Sequence, residues 1–359
     1  MYPKLHELDY FENDSLQGYK IYNFIKKYNA EIGIIGDLIA KTPVSEWPSI
    51  IDTELANHKK VLIFVPDPRI LGSDNREIPD LLNSYSNESL YLVTQLDSYS
   101  QQNLIYQQGI TCKLIELPWM DVNELLSWHY GKQLIEFESV IGPSTNFICP
   151  IGRNEWHKTL LAESLTEKFS DIGSVYFTEM PDEFKYNPVM SPVPNYNKTR
   201  TSVTEYSTDF NACSKNILYN KTVTMNTENF AKLIYFCKNS PMVIHPESTV
   251  GTFLTTEKTL WPILGGKLQL VFGRRYNHRY IQQFIETDYY QHFDMSFDSM
   301  EAYTQQKQIE KLECMLENNR YQIKHAFELH TELKDSLEKD KINLIQNMYD
   351  FFIQQLNSI

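Results

Sequence analysis

The chain has 359 residues, 42% of them hydrophobic and 22% charged, with a formal net charge of −13. That composition buries a full core and, at about 150 residues per domain, predicts two domains; 19 Phe, 23 Tyr and 5 Trp exclude a chain that stays unfolded. The charge excludes nucleic-acid binding through the overall field, no apolar run reaches the roughly 18 residues of a membrane span, and five scattered cysteines exclude a disulfide framework or a C-x-x-C zinc site.

The first residues are polar and mixed in charge, without a signal-peptide core, which predicts a cytoplasmic location. Four short apolar runs follow: residues 31–39, 60–66, 90–96 and 112–117. Each is bounded by turn residues, as strands buried on both faces are. Helical patterns at 77–85, 99–108 and 122–136 lie between or after them. Strand-helix alternation at this spacing predicts a parallel, doubly wound sheet whose ligands gather at the carboxyl ends of the strands. Asp37, Asp67 and Asp97 stand at or near such ends, although Asp is also an ordinary turn and cap residue. No G-x-G-x-x-G, Walker A, H-E-x-x-H, G-x-S-x-G or Asp-x-Asp occurs, so the simplest dinucleotide, NTPase, zincin and hydrolase readings fall away.

A Gly/Pro/Ser/Thr/Asn cluster at 139–146 reads as a linker, and the same grammar then restarts. A strand at 147–151 ends in Gly152-Arg153, and a helix at 155–169 follows, with Trp156, Leu160, Leu161 and Leu165 at helical spacing. A strand at 174–178 comes next. Residues 180–219, rich in Pro, Asn, Ser and Thr, read as a long loop. A helix at 228–237 and a strand at 242–245 lead into PESTVGTFLTTEKTLWPILGG, residues 246–266. There a strand end carries Glu247-Ser248, a helix opens at Thr255-Thr256-Glu257-Lys258, and Gly265-Gly266 stops it. A last strand, 268–272, ends in Gly273-Arg274-Arg275.

This segment suits a nucleotide diphosphate. Free N–H groups and the positive end of the dipole at a helix start attract phosphate, and Lys258 adds a point charge. Glu257 can accept from two neighbouring hydroxyls, as on a ribose, and Arg153 can offer a bidentate fork. The same residues equally fit a plain capped helix start. His157, at the opening of the preceding helix, has the reach for phosphate and also the character of a packing residue. The basic run 274–279 (RRYNHR) fits a phosphate or acceptor contact, a nucleic-acid backbone contact, or a solvated loop.

The segment resembles the donor-binding motif of α1,3-fucosyltransferases, in which a Glu-Asn-Ser-type strand end precedes a Thr-Glu-Lys helix start. It resembles more closely a group of fucosyltransferase-like proteins encoded by tailed phages. The shared pieces appear in order across residues 146–298: FICPIGRNEWHK, VIHPES, TTEKTLWPI and LVFG. The Asn of Glu-Asn-Ser and the Tyr that often precedes Val-Thr-Glu-Lys are absent here. The resemblance implies a GT-B-like α/β fold: two Rossmann-like domains facing a cleft, with C-terminal helices. It implies an inverting, metal-independent glycosyltransferase with no cofactor beyond its GDP- or UDP-linked sugar donor. Arg153 and Lys258, with Ser248, Thr256, Glu257, Arg274 and Arg275, then bind the donor, and Glu247 lies near the donor sugar as a catalytic residue. A base must take the acceptor's proton. Asp37 is favoured over Asp67 and Asp97, because Gly36 lets the backbone approach closely. The acceptor is a glycan or, in an alternative reading, a modified DNA base; a third reading is a catalytically inactive nucleotide- or sugar-binding module. A phage-encoded enzyme would act in the host cytoplasm.

From residue 300 onward the chain reads as two or three amphipathic helices. The expected domains are 1–140, 141–299 and a helical segment, 300–359.

Overall fold

The protein is described from a computed structural model over residues 2–7, 19–36, 42–64, 77–85, 88–94, 109–118, 121–122, 125–126, 144–151, 156–177, 233–234, 237–247, 257–302 and 304–359. Two units are present: Met1–Leu126 together with Met348–Ile359, and Ser127–Asn347.

In the first unit, helix α1 (Tyr19–Tyr28) leads to strand β1 (Ile32–Ile35). Helix α2 (Trp47–Asn57), strand β2 (Lys60–Phe64), helix α3 (Glu77–Asn83), strand β3 (Leu90–Thr94) and strand β4 (Lys113–Glu116) follow. The strands are parallel, in the order β1-β2-β3-β4, with Ile32 opposite Lys60, Val61 opposite Leu90 and Tyr91 opposite Lys113. Val61, Leu62, Ile63 and Phe64 are fully buried. Both faces of β2 are therefore covered, which is why its sequence is a continuous apolar run rather than an alternating one. Each such side chain contributes about 1.5–3 kcal/mol of burial.

Two glycines let the helices close on β1. A Cβ at Gly33 would lie 2.8 Å from His58 Nδ1 just beyond α2, and one at Gly36 would lie 2.3 Å from Tyr22 Cε2 on α1. Gly36 thus makes room for an aromatic ring of its own unit. Asn83 ties the end of α3 to the turn before β4: its amide donates to Gly109 O at 2.7 Å and its oxygen accepts from Thr111 N–H at 2.7 Å.

In the second unit, strand β5 (Phe147–Ile151) is followed by helix α4 (Trp156–Phe169) and strand β6 (Gly173–Phe177). Strand β7 (Met242–Pro246), helix α5 (Glu257–Leu264) and strand β8 (Leu268–Phe272) complete the sheet. All pairs are parallel, but the order is β6-β5-β7-β8. The chain runs outward from β5 to β6, then crosses back over β5 to β7. Since parallel crossovers are right-handed, this reversal assigns α4 and α5 to opposite faces. Gly266, at φ 62, ends α5 in the left-handed conformation that the Gly265-Gly266 pair predicts.

Short helices α6 (Asn277–Ile281) and α7 (Tyr289–His292) lead to the helical tail. The tail has four pieces, α8 (Gln305–Asn318), α9 (Arg320–Lys324), α10 (Ala326–Glu332) and α11 (Lys334–Asn357), one or two more than the periodicity predicts. The first break has a visible cause. Asn319 is fully buried, accepts from Asp294 N–H at 2.8 Å and donates to the Asp294 and Met315 carbonyls at 2.9 Å each. It trades helix continuity for an anchor on the Asp294 turn. The end of α11 belongs to the first unit, where Tyr349 donates to Pro3 O at 2.8 Å and Phe352 packs beside Phe24.

The α/β class, the two Rossmann-like parallel sheets and the C-terminal helices are as the sequence predicts. Among the described residues no helix is long and apolar enough to cross a membrane, and Cys112, Cys149, Cys237 and Cys314 are free thiols. Burial pushes the Cys112 thiol up to about 12. The predicted helix at 99–108 and the loop at 180–219 lie outside the described residues, as do most of the helices at 122–136 and 228–237.

Candidate functional site

Ligands of doubly wound sheets sit beyond the carboxyl ends of the strands, where the strand order reverses. In the second sheet that point lies between β5 and β7, two strands in register with Phe147 opposite Met242. The ends of β5 and β7 lie there, and in sequence each is followed by a helix, α4 and α5. The two strand ends are stitched together there. His157, in the first turn of α4, lies with Nε2 2.9 Å from the carbonyl of Glu247, just after β7. A carbonyl only accepts, so Nε2 carries the proton. His157 is thus a bracket across the switch point, the packing role rather than the phosphate role.

Glu247 is completely buried. Its N–H donates to Phe272 O at 3.0 Å, extending the β7–β8 ladder by one residue. Its carboxylate accepts from the hydroxyl of Thr259, in the first turn of α5. Thr259 Oγ1 also lies 3.4 Å from the side-chain oxygen, Oδ1, of Asn277, the first residue of α6. The space for this cluster exists because residue 273 has no side chain. A Cβ there would stand 3.0 Å from Glu247 Cγ and 3.3 Å from the Asn277 amide nitrogen. Lys258, half-buried, precedes Thr259 in the same turn, and Glu257 begins the helix. One helix turn therefore carries both a cation and the hydroxyl that anchors it to the strand end.

The basic run after β8 is built into the fold. Tyr276 has φ 61, a conformation costing a non-glycine residue about 1–2 kcal/mol. The surroundings hold it there. Its N–H donates to Asp298 O at 2.7 Å, and the guanidinium groups of Arg275 and Arg279 lie 4.7 and 5.6 Å from its ring centre. The buried Asp298 carboxylate accepts from the backbone N–H of His278 and Arg279, at 3.1 Å each, and from Tyr290 Oη at 2.8 Å. Those bonds satisfy the start of α6. Arg275 is paired to Glu301 at 2.7 Å. Arg274 is buried, its guanidinium 5.3 Å from the Tyr280 ring centre. Lys311, fully buried, donates to the carbonyls of Arg274 and Met300 at 3.1 and 3.2 Å. Burial lowers its ammonium to about 8, against the pull of Asp298 and Glu301. His278 accepts the Val271 N–H on Nε2 at 2.9 Å, so its ring is neutral with the proton on Nδ1; burial lowers it to about 4, with Asp298 pulling the other way. Arg279 is the one arginine of the run with an exposed side chain.

No family model matches the chain. No curated protein sequence matches it. Among solved structures it is similar to the sucrose-phosphate synthase of Thermosynechococcus elongatus, with a TM-score of 0.37 and 9% identity over 88% of this chain and 77% of that one. The fold and the site rest on the chain's own geometry.

Of the residues singled out in sequence, Glu247 is tied through Thr259 to the helix turn that carries Lys258, and Glu257 is the first residue of that helix. Arg274 and Arg275 lie just beyond β8, engaged as described. Asp37, Asp67, Asp97, Arg153, Ser248 and Thr256 lie outside the described residues. Thr259 and Asn277 were not singled out, because Thr in a helix and Asn after an arginine pair carry no motif. Lys158 was passed over too. It is buried in the first turn of α4, and its position directly after His157 at a helix start is the signal that marks it. Among the described residues no three His, Cys, Asp or Glu side chains gather as a metal site requires.

Proposed function

We propose that the chain is a nucleotide-sugar-dependent glycosyltransferase that binds the donor diphosphate at the switch point of the second sheet. The observation that supports this most is the convergence there of two strand ends and two helix first turns, with Lys258 and Lys158 in those turns. Helix starts of this kind favour anions. Arg153, in the turn after β5, adds a fork for the phosphates, and Ser248, Thr256 and Glu257 complete the donor contacts. Arg274 and Arg275 support the site from the β8 end.

The reaction is a single inverting displacement without a metal. The acceptor oxygen attacks the anomeric carbon, its proton passes to a base, and the bond to the diphosphate breaks with its electron pair leaving on the nucleotide. Positive charge held by the protein against the departing diphosphate, which takes up negative charge, is the main stabilising element. Asp37, after β1, is the proposed base. The donor is GDP- or UDP-linked and the acceptor a glycan hydroxyl.

A thermal-shift panel of GDP, UDP, CDP and dTDP with their sugars tests the reading. A ligand at 100 times its Kd raises stability by about 2.7 kcal/mol. One nucleotide is expected to stabilise the parent and to lose that effect in Lys258→Ala. No shift with any of them removes the proposal.

A further inference from the structure

We infer that Asn277, Thr259 and Glu247 form a hydrogen-bonded positioning relay that sets the first turn of α5, and with it Lys258, for the donor diphosphate. This rests on the glycosyltransferase reading and adds the residues that hold its phosphate-binding end in place.

The direction of the relay follows from proton counting. Thr259 has one hydroxyl proton, and it goes to the Glu247 carboxylate. The lone pairs of Oγ1 then face Asn277 Oδ1, itself an acceptor, 3.4 Å away. Two acceptors do not bond each other, so Asn277 turns its N–H toward Thr259. The two ends of an amide are interchangeable in shape, and the hydrogen-bond pattern decides between them. This orientation also uses the Asn277 nitrogen, which has no partner in the opposite one. The chain of bonds runs Asn277 N–H to Thr259 O–H to Glu247.

Every other constraint on the cluster points the same way. Asn277 is aimed by the left-handed Tyr276 before it, and that residue is held by Asp298 and two guanidinium groups. Glu247 is held through its backbone by His157 and Phe272. Gly273 leaves the space in which carboxylate, hydroxyl and amide meet. Strand β7, strand β8, α4 and α6 therefore all fix one residue of α5, the neighbour of Lys258. Preorganisation of this kind spares the ligand the ordering cost of its own binding residues. Glu247 in this arrangement is a positioning residue. It accepts a hydrogen bond and neither gives nor takes a proton.

The test uses the full chain and the nucleoside diphosphate, GDP or UDP, that stabilises the parent most. Thr259→Val keeps the shape and removes the hydroxyl that joins the buried Glu247 carboxylate to the Asn277 amide. It is expected to raise the Kd about 10- to 100-fold. Thr259→Ser, which restores the hydroxyl, is expected to stay within about threefold of the parent. Glu247→Gln still offers an acceptor, so binding and kcat are expected to change by less than about tenfold, whereas a catalytic acid or base would cost about 10²- to 10⁴-fold in kcat. Should Thr259→Val fail to fold, Asn277→Ala takes its place with an expected three- to tenfold rise in Kd. Parental affinity in a folded Thr259→Val or Asn277→Ala overturns the relay and leaves the function standing. A loss of 10² or more in kcat for Glu247→Gln overturns the positioning role. A parent that binds none of the nucleotides overturns both readings together.

Discussion

The two sheets have the same number of described strands, all parallel, and nearly the same apolar vocabulary, yet they differ in one topological step. In the first, strand order follows chain order from β1 to β4, so successive crossovers run in one direction. In the second, the chain steps back over β5, and the order becomes β6-β5-β7-β8. A reversal of that kind is where doubly wound sheets hold their ligands, at the carboxyl ends of the strands. The buried polar side chains follow the difference. Among the described residues of the first sheet the strands bury little but aliphatic and aromatic side chains. The second sheet buries Glu247, His157, Thr259, Asn277, His278 and Lys311 around the ends of β7 and β8. One unit is a packed scaffold there; the other gathers polar groups at the carboxyl ends of its strands.

The contrast can be broken most severely at Asp298. Asp298→Ala removes the acceptor for two backbone N–H groups, for Tyr290 and for the field around Lys311. A loss of about 3–5 kcal/mol is expected in urea unfolding. Hydrogen exchange should quicken in β7, β8 and α6 and stay parental in β1 to β3. Loss of protection spread equally over both sheets would mean that the polar network is not confined to the second.

A pH titration sharpens the same point. His278 sits at about 4 when folded and 6.5 when unfolded. Between these values the unfolded chain binds the extra proton, so stability rises with pH there. The contribution is complete above pH 6.5 and is lost as pH falls toward 4, on the order of 3 kcal/mol. Melting temperatures from pH 7 to pH 4 should fall more steeply for the parent than for His278→Asn.

Close packing gives a smaller effect, present in both units. Gly36→Ala drives a methyl into Tyr22, and Gly173→Ala drives one into the Phe147 ring, 2.0 Å from its carbons. Each should cost about 1–3 kcal/mol by overpacking, read from denaturant midpoints. A neutral result at either would mean that the ring moves aside without loss. The least effect is expected at Lys59, whose pair with Glu31 is exposed on both sides at 76% and 68%. Lys59→Ala should change stability by less than about 0.5 kcal/mol.

How far the site could be read in sequence depended on which interactions are local. Strand positions, the α4 pattern and the Gly265-Gly266 stop are short-range signals. Residues 147–151 and 268–272 were legible to the residue because buried strands are short, mostly apolar runs bounded by turn residues. Lys258 stood out as a cation at a helix start. Thr259 and Asn277 did not, because they are separated by 18 residues and by a strand, and neither has a motif. The run at 274–279 shows the same limit from the other side. In sequence it is a basic patch; in the fold Arg274 is buried, Arg275 is paired to Glu301, and Asp298, some twenty residues on, caps the helix they precede.

The sequence by itself determined the α/β class, the restart of strand-helix grammar after residue 146 and the location of the candidate helix start. Those follow from periodicity, propensity and turn chemistry, which act over a few residues. Tertiary structure alone decided that β7 returns beside β5, that Glu247 faces Thr259, and that Arg274 is buried while Arg275 pairs with Glu301. Such outcomes depend on which strand pairs with which and on where each buried polar group finds its partner, and both are set between residues far apart in the chain.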